Sequence, residues 1–175
     1  MERGRDKGDT MSKMLQSVAL GCAALMMATG AAAQGAPDTV TANNPESIAA
    51  AMRYAGYPTT VTTDKTGDPK IETEFSGYSG DVYFYGCDEK SHKNCTSLQL
   101  VVGFDGKKAM ELAALNKLMS TLRYASSYID DKGDVWVQYD LSTLGGIPAP
   151  VFLKSLDDFS WVSNEIADAV FAGED

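Results

Sequence analysis

The feature that most constrains the fold is a stretch of alternating residues between positions 58 and 104. Polar residues alternate there with apolar or β-branched ones, and turn sequences interrupt the pattern at residues 66–68 and 77–80. A period of two is typical of strands with one buried face, and short glycine turns join antiparallel neighbours. We therefore predict an antiparallel meander of four strands, at about 59–64, 69–76, 80–86 and 96–103.

Helical patterns lie on both sides of this meander. Asn44 and Pro45 predict the start of a first helix, along which Ile48 and Met52 recur at helical spacing until Gly56. After the meander, residues 107–130 carry apolar residues at steps of three and four, which predicts a long second helix.

A fifth strand is predicted at 135–141 and a last helix at 151–172. This order predicts an α+β domain: an antiparallel sheet of about five strands, with helices at the start, middle and end. A parallel βαβ alternation is missing from the sequence, which argues against a doubly wound nucleotide-binding fold.

The first 33 residues have the three parts of a secretory signal peptide. A basic segment precedes an apolar run at 14–27, and small residues follow, so we expect cleavage after Ala33. The run has about fourteen residues, whereas a membrane-spanning helix needs about 20, so we predict no transmembrane segment. Two alternatives stay open: translation starts at Met11 rather than Met1, or the chain is a lipoprotein processed at Cys22.

We expect the chain to have three parts. We expect a signal peptide at 1–33, a flexible tether at 34–42 and a single domain at 43–172. The mature protein would be periplasmic or secreted. Without residues 1–33 it keeps 11 basic and 21 acidic residues, a net charge near −10. Such a charge disfavours nucleic-acid binding, because phosphates would be repelled and the lysines are scattered.

The two cysteines of the mature chain, Cys87 and Cys95, enclose a polar loop between two predicted strands. In an oxidising compartment this pair predicts a structural disulfide, worth about 2.5 kcal/mol by loop closure. Two other interpretations stay open. Cys87, His92 and Cys95 could form a metal site, although a structural zinc site wants four ligands, or the cysteines could be redox-active.

Catalytic motifs are not apparent in the sequence. His92 is the only histidine, and the glycines of residues 76–80 do not have the spacing of a nucleophile elbow. The aspartates near residues 64–68 and 130–134 lack the spacing of a calcium loop, so we interpret them as turn residues that bond their own backbone. We predict no catalytic residue, metal or cofactor. A pair of carboxylates acting together in space stays open.

Five residues are candidates for binding. Tyr83 and Tyr85 lie in a cluster of aromatic residues, and Tyr124 and Tyr128 have the i, i+4 spacing of a helix face next to Arg123. Aromatic side chains of this kind can line a groove for a peptide or an apolar ligand. Core packing for the tyrosines and a surface ion pair for Arg123 are the alternatives.

Several short motifs together resemble the YbjN family. The resemblance covers most of residues 43–172 and rests on the following segments: Ala55-Gly56-Tyr57, the turn 64–69 followed by Ile71, Phe84-Tyr85-Gly86-Cys87 with the segment 95–99, Leu115-Asn116 and Arg123-Tyr124. Secreted members of that family carry this cysteine pair. The resemblance implies a fold similar to type III secretion chaperones, with a strongly bent antiparallel sheet, and the description of a sensory transduction regulator. It implies no catalytic residues, and it implies a homodimer as one possible assembly.

The sequence thus favours an exported, non-catalytic module that binds a protein or peptide, in a chaperone-like or regulatory role. Two alternatives are an envelope enzyme that uses acidic residues around 78–85, and a metal or redox sensor at the loop of Cys87, His92 and Cys95.

Overall fold

The computed structural model describes residue 35 and residues 37–106 and 108–173. One antiparallel sheet contains six strands: β2 (Thr60–Thr63), β3 (Pro69–Phe75), β4 (Tyr78–Tyr85), β5 (Ser97–Phe104), β6 (Ser126–Ile129) and β7 (Val135–Ser142). Their order across the sheet is β2-β3-β4-β5-β7-β6. Two short strands, β1 (Thr39–Val40) and β8 (Ile147–Pro148), pair with each other. The helices in this part of the chain are α1 (Pro45–Tyr54), α2 (Leu112–Met119) and α3 (Ala149–Val170).

This architecture confirms the α+β prediction and the four-strand meander β2-β3-β4-β5. Ser76 and Gly77, both with positive φ, form a two-residue turn, and Phe75 pairs with Tyr78. Strand β4 therefore begins two residues before the predicted start, because this turn needs only two residues.

The first helix also begins where the sequence predicts. Pro45 occupies its first turn, and Gly56 follows its end with a φ of +87°. Asn44 holds the N-cap position, but its side chain makes no capping hydrogen bond. Its carbonyl oxygen instead accepts bonds from the backbone N–H and the hydroxyl of Ser47, at 2.9 and 2.7 Å.

The predicted long helix at 107–130 is wrong. Helix α2 ends at Met119, and residues 126–129 form strand β6, which pairs with β7. Tyr124 has a φ of +70°, which a helix does not accommodate, and the turn at 130–134 closes a β-hairpin. The sheet consequently has six strands rather than about five, and the longest helix in the described ranges is α3, with 22 residues.

The core lies between one face of the sheet and the helices. Val82, Phe84 and Leu100 alternate with more exposed neighbours and are themselves 1% exposed or less. Phe159 of α3 packs edge-on against Phe75, with ring centroids 4.8 Å apart. Because α3 packs on this face of the sheet, the alternate side chains of the strands point away from the core.

No helix in the described part of the chain is both long enough and apolar enough to cross a membrane. The expected signal peptide, its cleavage site and Cys22 lie outside the described residues.

Candidate functional site

The side of the six-stranded sheet that points away from α3 is open, and we call it the outer face. The strand register brings its side chains into rows across the sheet, for example Lys70, Tyr83, Gln99 and Asp140. The outer face comprises Lys70, Glu72, Asp81, Tyr83, Tyr85, Gln99, Val101, Gly103, Ser126, Tyr128, Trp136, Gln138 and Asp140. These residues keep partial or full exposure, whereas most of the residues that alternate with them on β3, β4 and β5 are buried.

Lys70 holds two carboxylates at one end of this face. Its Nζ lies 3.1 Å from Glu72 and 3.1 Å from Asp81, and its side chain is only 17% exposed. Burial by itself would lower the pKa of Lys70, but the hydrogen bonds and negative charges of the two carboxylates outweigh it and raise the pKa. Glu72 and Asp81 face each other across strands, and the ammonium between them makes this group an ion-pair network.

Tyr83 belongs to the same network. Its hydroxyl donates a hydrogen bond to Asp81 at 3.1 Å, and Lys70 Nζ lies 5.9 Å from its ring centroid. Burial raises the pKa of Tyr83, and the charge and hydrogen bond of Asp81 raise it further, while Lys70 acts in the opposite direction. The face thus already holds one cation between carboxylates and an aromatic ring.

Tyr85 lies two residues further along β4 and is 45% exposed. Its hydroxyl donates to Gln99 at 3.4 Å, and the amide of Gln99 donates to Asp140 at 3.0 Å. Burial raises the pKa of Tyr85, and Asp140, Asp64 and Tyr128 add to the increase. Tyr85 and Tyr128 lie on the same face, on strands β4 and β6, which three strand spacings separate.

Trp136 is a residue that sequence reasoning did not single out as a binding candidate. Its indole covers Gly103 on the neighbouring strand, where an added Cβ would come within 2.9 Å of the ring. The indole N–H donates to the carboxylate of Asp130 at 3.0 Å, which fixes the edge of the ring. The alternation of Trp136 with Val135 and Val137 could have indicated this from the sequence. It places the indole on the side of the strand opposite to the two buried valines.

A groove of about 550 Å³ runs over this part of the outer face. Its volume lies within the range of about 300–1,000 Å³ that is usual for ligand sites. Small residues form the middle of the groove, because Ser79, Val101 and Gly103 leave room between the longer side chains of β3 and β7. The charged residues that line it are Lys70, Glu72, Asp81, Asp105 and Asp134.

The five candidate binding residues do not form one cluster. Tyr83, Tyr85 and Tyr128 share the outer face, on strands β4 and β6. Arg123 and Tyr124 lie in the loop between α2 and β6, where the guanidinium donates to the Tyr124 hydroxyl at 2.8 Å and lies 5.0 Å from its ring centroid. The helical spacing assigned to Tyr124 and Tyr128 is wrong, because that segment is a loop followed by a strand.

Cys87 and Cys95 lie at disulfide distance, with their sulfur atoms 2.10 Å apart. They close the loop between β4 and β5, in which Asp88 accepts hydrogen bonds from the backbone of Lys90 and Ser91 at 3.1 and 2.9 Å. The Nδ1 of His92 lies 2.8 Å from Asp68 Oδ1, so the loop is tied to the turn between β2 and β3.

A metal site at this loop has no ligand set in the described residues. No group of three or more histidine, cysteine, aspartate and glutamate side chains in ranges 37–106 and 108–173 is placed to hold a metal ion. His92 contacts Asp68, and the two sulfurs face each other.

Two of the turn aspartates, Asp64 and Asp130, bond their own backbone, as the sequence predicts, whereas Asp68 contacts His92. Asp64 Oδ1 accepts from the backbone N–H groups of Thr66, Gly67 and Asp68 at 2.8 to 3.0 Å. Asp130 Oδ1 does the same for the hairpin between β6 and β7. These carboxylates stabilise turns, which accounts for their spacing.

Comparison with known families identifies one match. Residues 44–172 match the model of the YbjN family, which is described as a putative bacterial sensory transduction regulator. No curated protein matches the chain.

Proposed function

The chain belongs to the YbjN family, and from that membership and the geometry of the sheet we propose that it is an exported, non-catalytic module that binds a protein or peptide on its outer face. The observation that carries this proposal is the asymmetry of the sheet. Most of one face is buried, with α3 packed on it, while the other displays tyrosines, a tryptophan and a groove to solvent.

Exposed aromatic residues support a protein-binding role for this face. Tyr85 and Tyr128 are 45% and 46% exposed although both lie within strands. Tyrosine and tryptophan are enriched at protein interfaces, because they bury a large area and carry a polar group that can hydrogen-bond. A regulator needs such a surface to recognise its partner, so the face fits the role that describes the family.

Export is supported by the signal-peptide pattern of residues 1–33 and by the cysteine pair at disulfide distance. The mass of the protein isolated from its host tests this part of the proposal. We expect a mature chain that begins at Gln34 and takes up two alkyl groups only after reduction. Free thiols or an acylated Cys22 would contradict it, and the native mass would distinguish a monomer from a homodimer.

Capture of a partner from the host's envelope extract tests the binding role. The wild-type protein should retain a partner that the variant Tyr85→Ala/Tyr128→Ala loses, because the two substitutions remove both aromatic rings from the outer face. The matched control is Tyr54→Ala/Trp161→Ala, which removes two aromatic side chains of 62% and 50% exposure from α1 and α3. Equal loss of the partner in both double variants would contradict a role for the outer face.

A further inference from the structure

We propose that the groove on the outer face is the docking site for an arginine-containing, extended segment of the partner protein. This inference deepens the proposed function and rests on it, since it names the chemistry of the partner at the same face. Its basis is the charge and the aromatic content of the groove, which complement a guanidinium group.

The lining of the groove is negatively charged. Glu72, Asp81, Asp105 and Asp134 contribute four carboxylates, whereas Lys70 contributes the one ammonium among the described residues that line it. Lys70 is already engaged with Glu72 and Asp81, at 3.1 Å from each. The charge left for a ligand is therefore concentrated at Asp105 and Asp134.

The strand register places these two aspartates at the same end of the groove. Phe104, the last residue of β5, pairs with Val135, the first residue of β7, so Asp105 follows one member of this pair and Asp134 precedes the other. Carboxylates on neighbouring strands repel each other when they are close, and a bound cation would relieve that repulsion. Neither carboxylate has a hydrogen bond to a cationic side chain within the described residues.

Trp136 supplies the aromatic part of the site. Its indole is held on two sides: one surface covers Gly103 on β5, and the N–H donates to Asp130 in the turn after β6. A guanidinium stacks well on an indole face and also binds carboxylates with two parallel hydrogen bonds. The groove offers both contacts side by side, at Trp136 and at the two aspartates.

The Lys70 network shows that this face accommodates a cation. There the chain's own ammonium lies between two carboxylates and 5.9 Å from the ring centroid of Tyr83. The pair Asp105 and Asp134, beside Trp136, has the same components, and none of the ion pairs among residues 37–106 and 108–173 involves it. A partner's arginine would complete this second arrangement.

A labelled nine-residue peptide with arginine at alternate positions, separated by serine, tests the inference by fluorescence anisotropy. Alternate side chains of an extended peptide point to the same side and can enter the groove together. The control peptide carries citrulline in place of arginine, which keeps the shape and removes the charge. We expect the arginine peptide to bind at least about tenfold more tightly, and its affinity to fall as salt is raised from 50 to 500 mM.

Two variants locate the binding. Asp105→Asn/Asp134→Asn should weaken binding of the arginine peptide by about tenfold, and Trp136→Phe should weaken it by a smaller factor. The control Asp157→Asn/Glu165→Gln removes the same number of charges from α3 and should leave the affinity within about twofold. Thermal melting of each variant checks that it is folded.

The outcomes separate this inference from the proposed function. Equal binding of the citrulline and arginine peptides would overturn the arginine preference and leave a peptide-binding face. Binding that is lost equally in the α3 control would overturn the groove as the site. Binding of spermidine but not of the arginine peptide would assign the groove to a small polyamine and overturn the inference. If the envelope partner is retained on the outer face while the arginine peptide does not bind, the proposed function stands and the inference fails.

Discussion

At the scale of single residues, Gly86 determines how the chain enters the cysteine loop. Its φ is +66°, and a Cβ at this position would lie 2.3 Å from the Thr96 hydroxyl oxygen. A side chain there would be strained by the left-handed backbone and would also collide with Thr96. Glycine is therefore needed at this position for two independent reasons.

We predict that Gly86→Ala lowers the free energy of unfolding by about 3 kcal/mol, the sum of backbone strain and steric overlap. Gly56→Ala is the matched control, because Gly56 also has a positive φ but nothing within 4 Å of its added Cβ. It should cost about 1 kcal/mol. Urea denaturation of both variants measures the difference, and equal losses would show that the contact with Thr96 contributes nothing.

A second prediction at this scale concerns the charge of the Asp64 carboxylate. Burial alone would raise the pKa of Asp64, but hydrogen bonds from Thr66, Asp68 and Gly67 outweigh it and lower the pKa below 3.8. A lowered folded-state pKa stabilises the protein above about pH 4, and this contribution is lost as the pH falls through the folded-state pKa.

The variant Asp64→Asn should consequently be less stable than the wild type at pH 6, with a difference that shrinks toward pH 2. Glu165→Gln, on the exposed side of α3, is the control. Urea denaturation across this pH range measures both. A difference that stays constant with pH would contradict the role of the Asp64 charge.

At the scale of elements, the loop between Cys87 and Cys95 joins the two central strands β4 and β5. We predict that Cys87→Ala/Cys95→Ala lowers the free energy of unfolding by about 2–3 kcal/mol through loss of loop closure. The reduced wild-type protein should match the variant in urea denaturation. A variant as stable as the oxidised wild type, with zinc bound by the reduced protein, would favour the metal interpretation instead.

The elements also show how far the sequence could predict this fold. The meander was predictable because turn residues and a period of two agree with each other over residues 58–104, and α1 was predictable because Pro45 and Gly56 bound a segment with helical spacing. The end of α2 and the strand β6 were not predictable, because the sequence of segment 121–129 is compatible both with the helical period of 3.6 and with the strand period of two. Ser127 and Ile129 point toward the core while Ser126 and Tyr128 are exposed, and pairing with β7 decides between strand and helix.

The candidate site was predictable only in part, for the same reason. Tyr83 and Tyr85 could be assigned to one side of β4 from the alternation of that strand alone. The neighbours of these tyrosines, Lys70 and Gln99, come from strands whose register is fixed by pairing across the sheet. Sequence spacing carries no information about such contacts, and the groove beside Trp136 depends on several of them.

At the scale of the whole molecule, the central claim is that the outer face contacts the partner and the exposed side of α3 does not. The most direct measurement places a photo-crosslinking amino acid at Tyr85 or at Trp161 and irradiates the protein in its host. These positions are 45% and 50% exposed, so they are equally available to solvent and differ in the face they report. We predict a crosslinked partner from position 85 and none from position 161. A partner crosslinked only from position 161 would contradict the account.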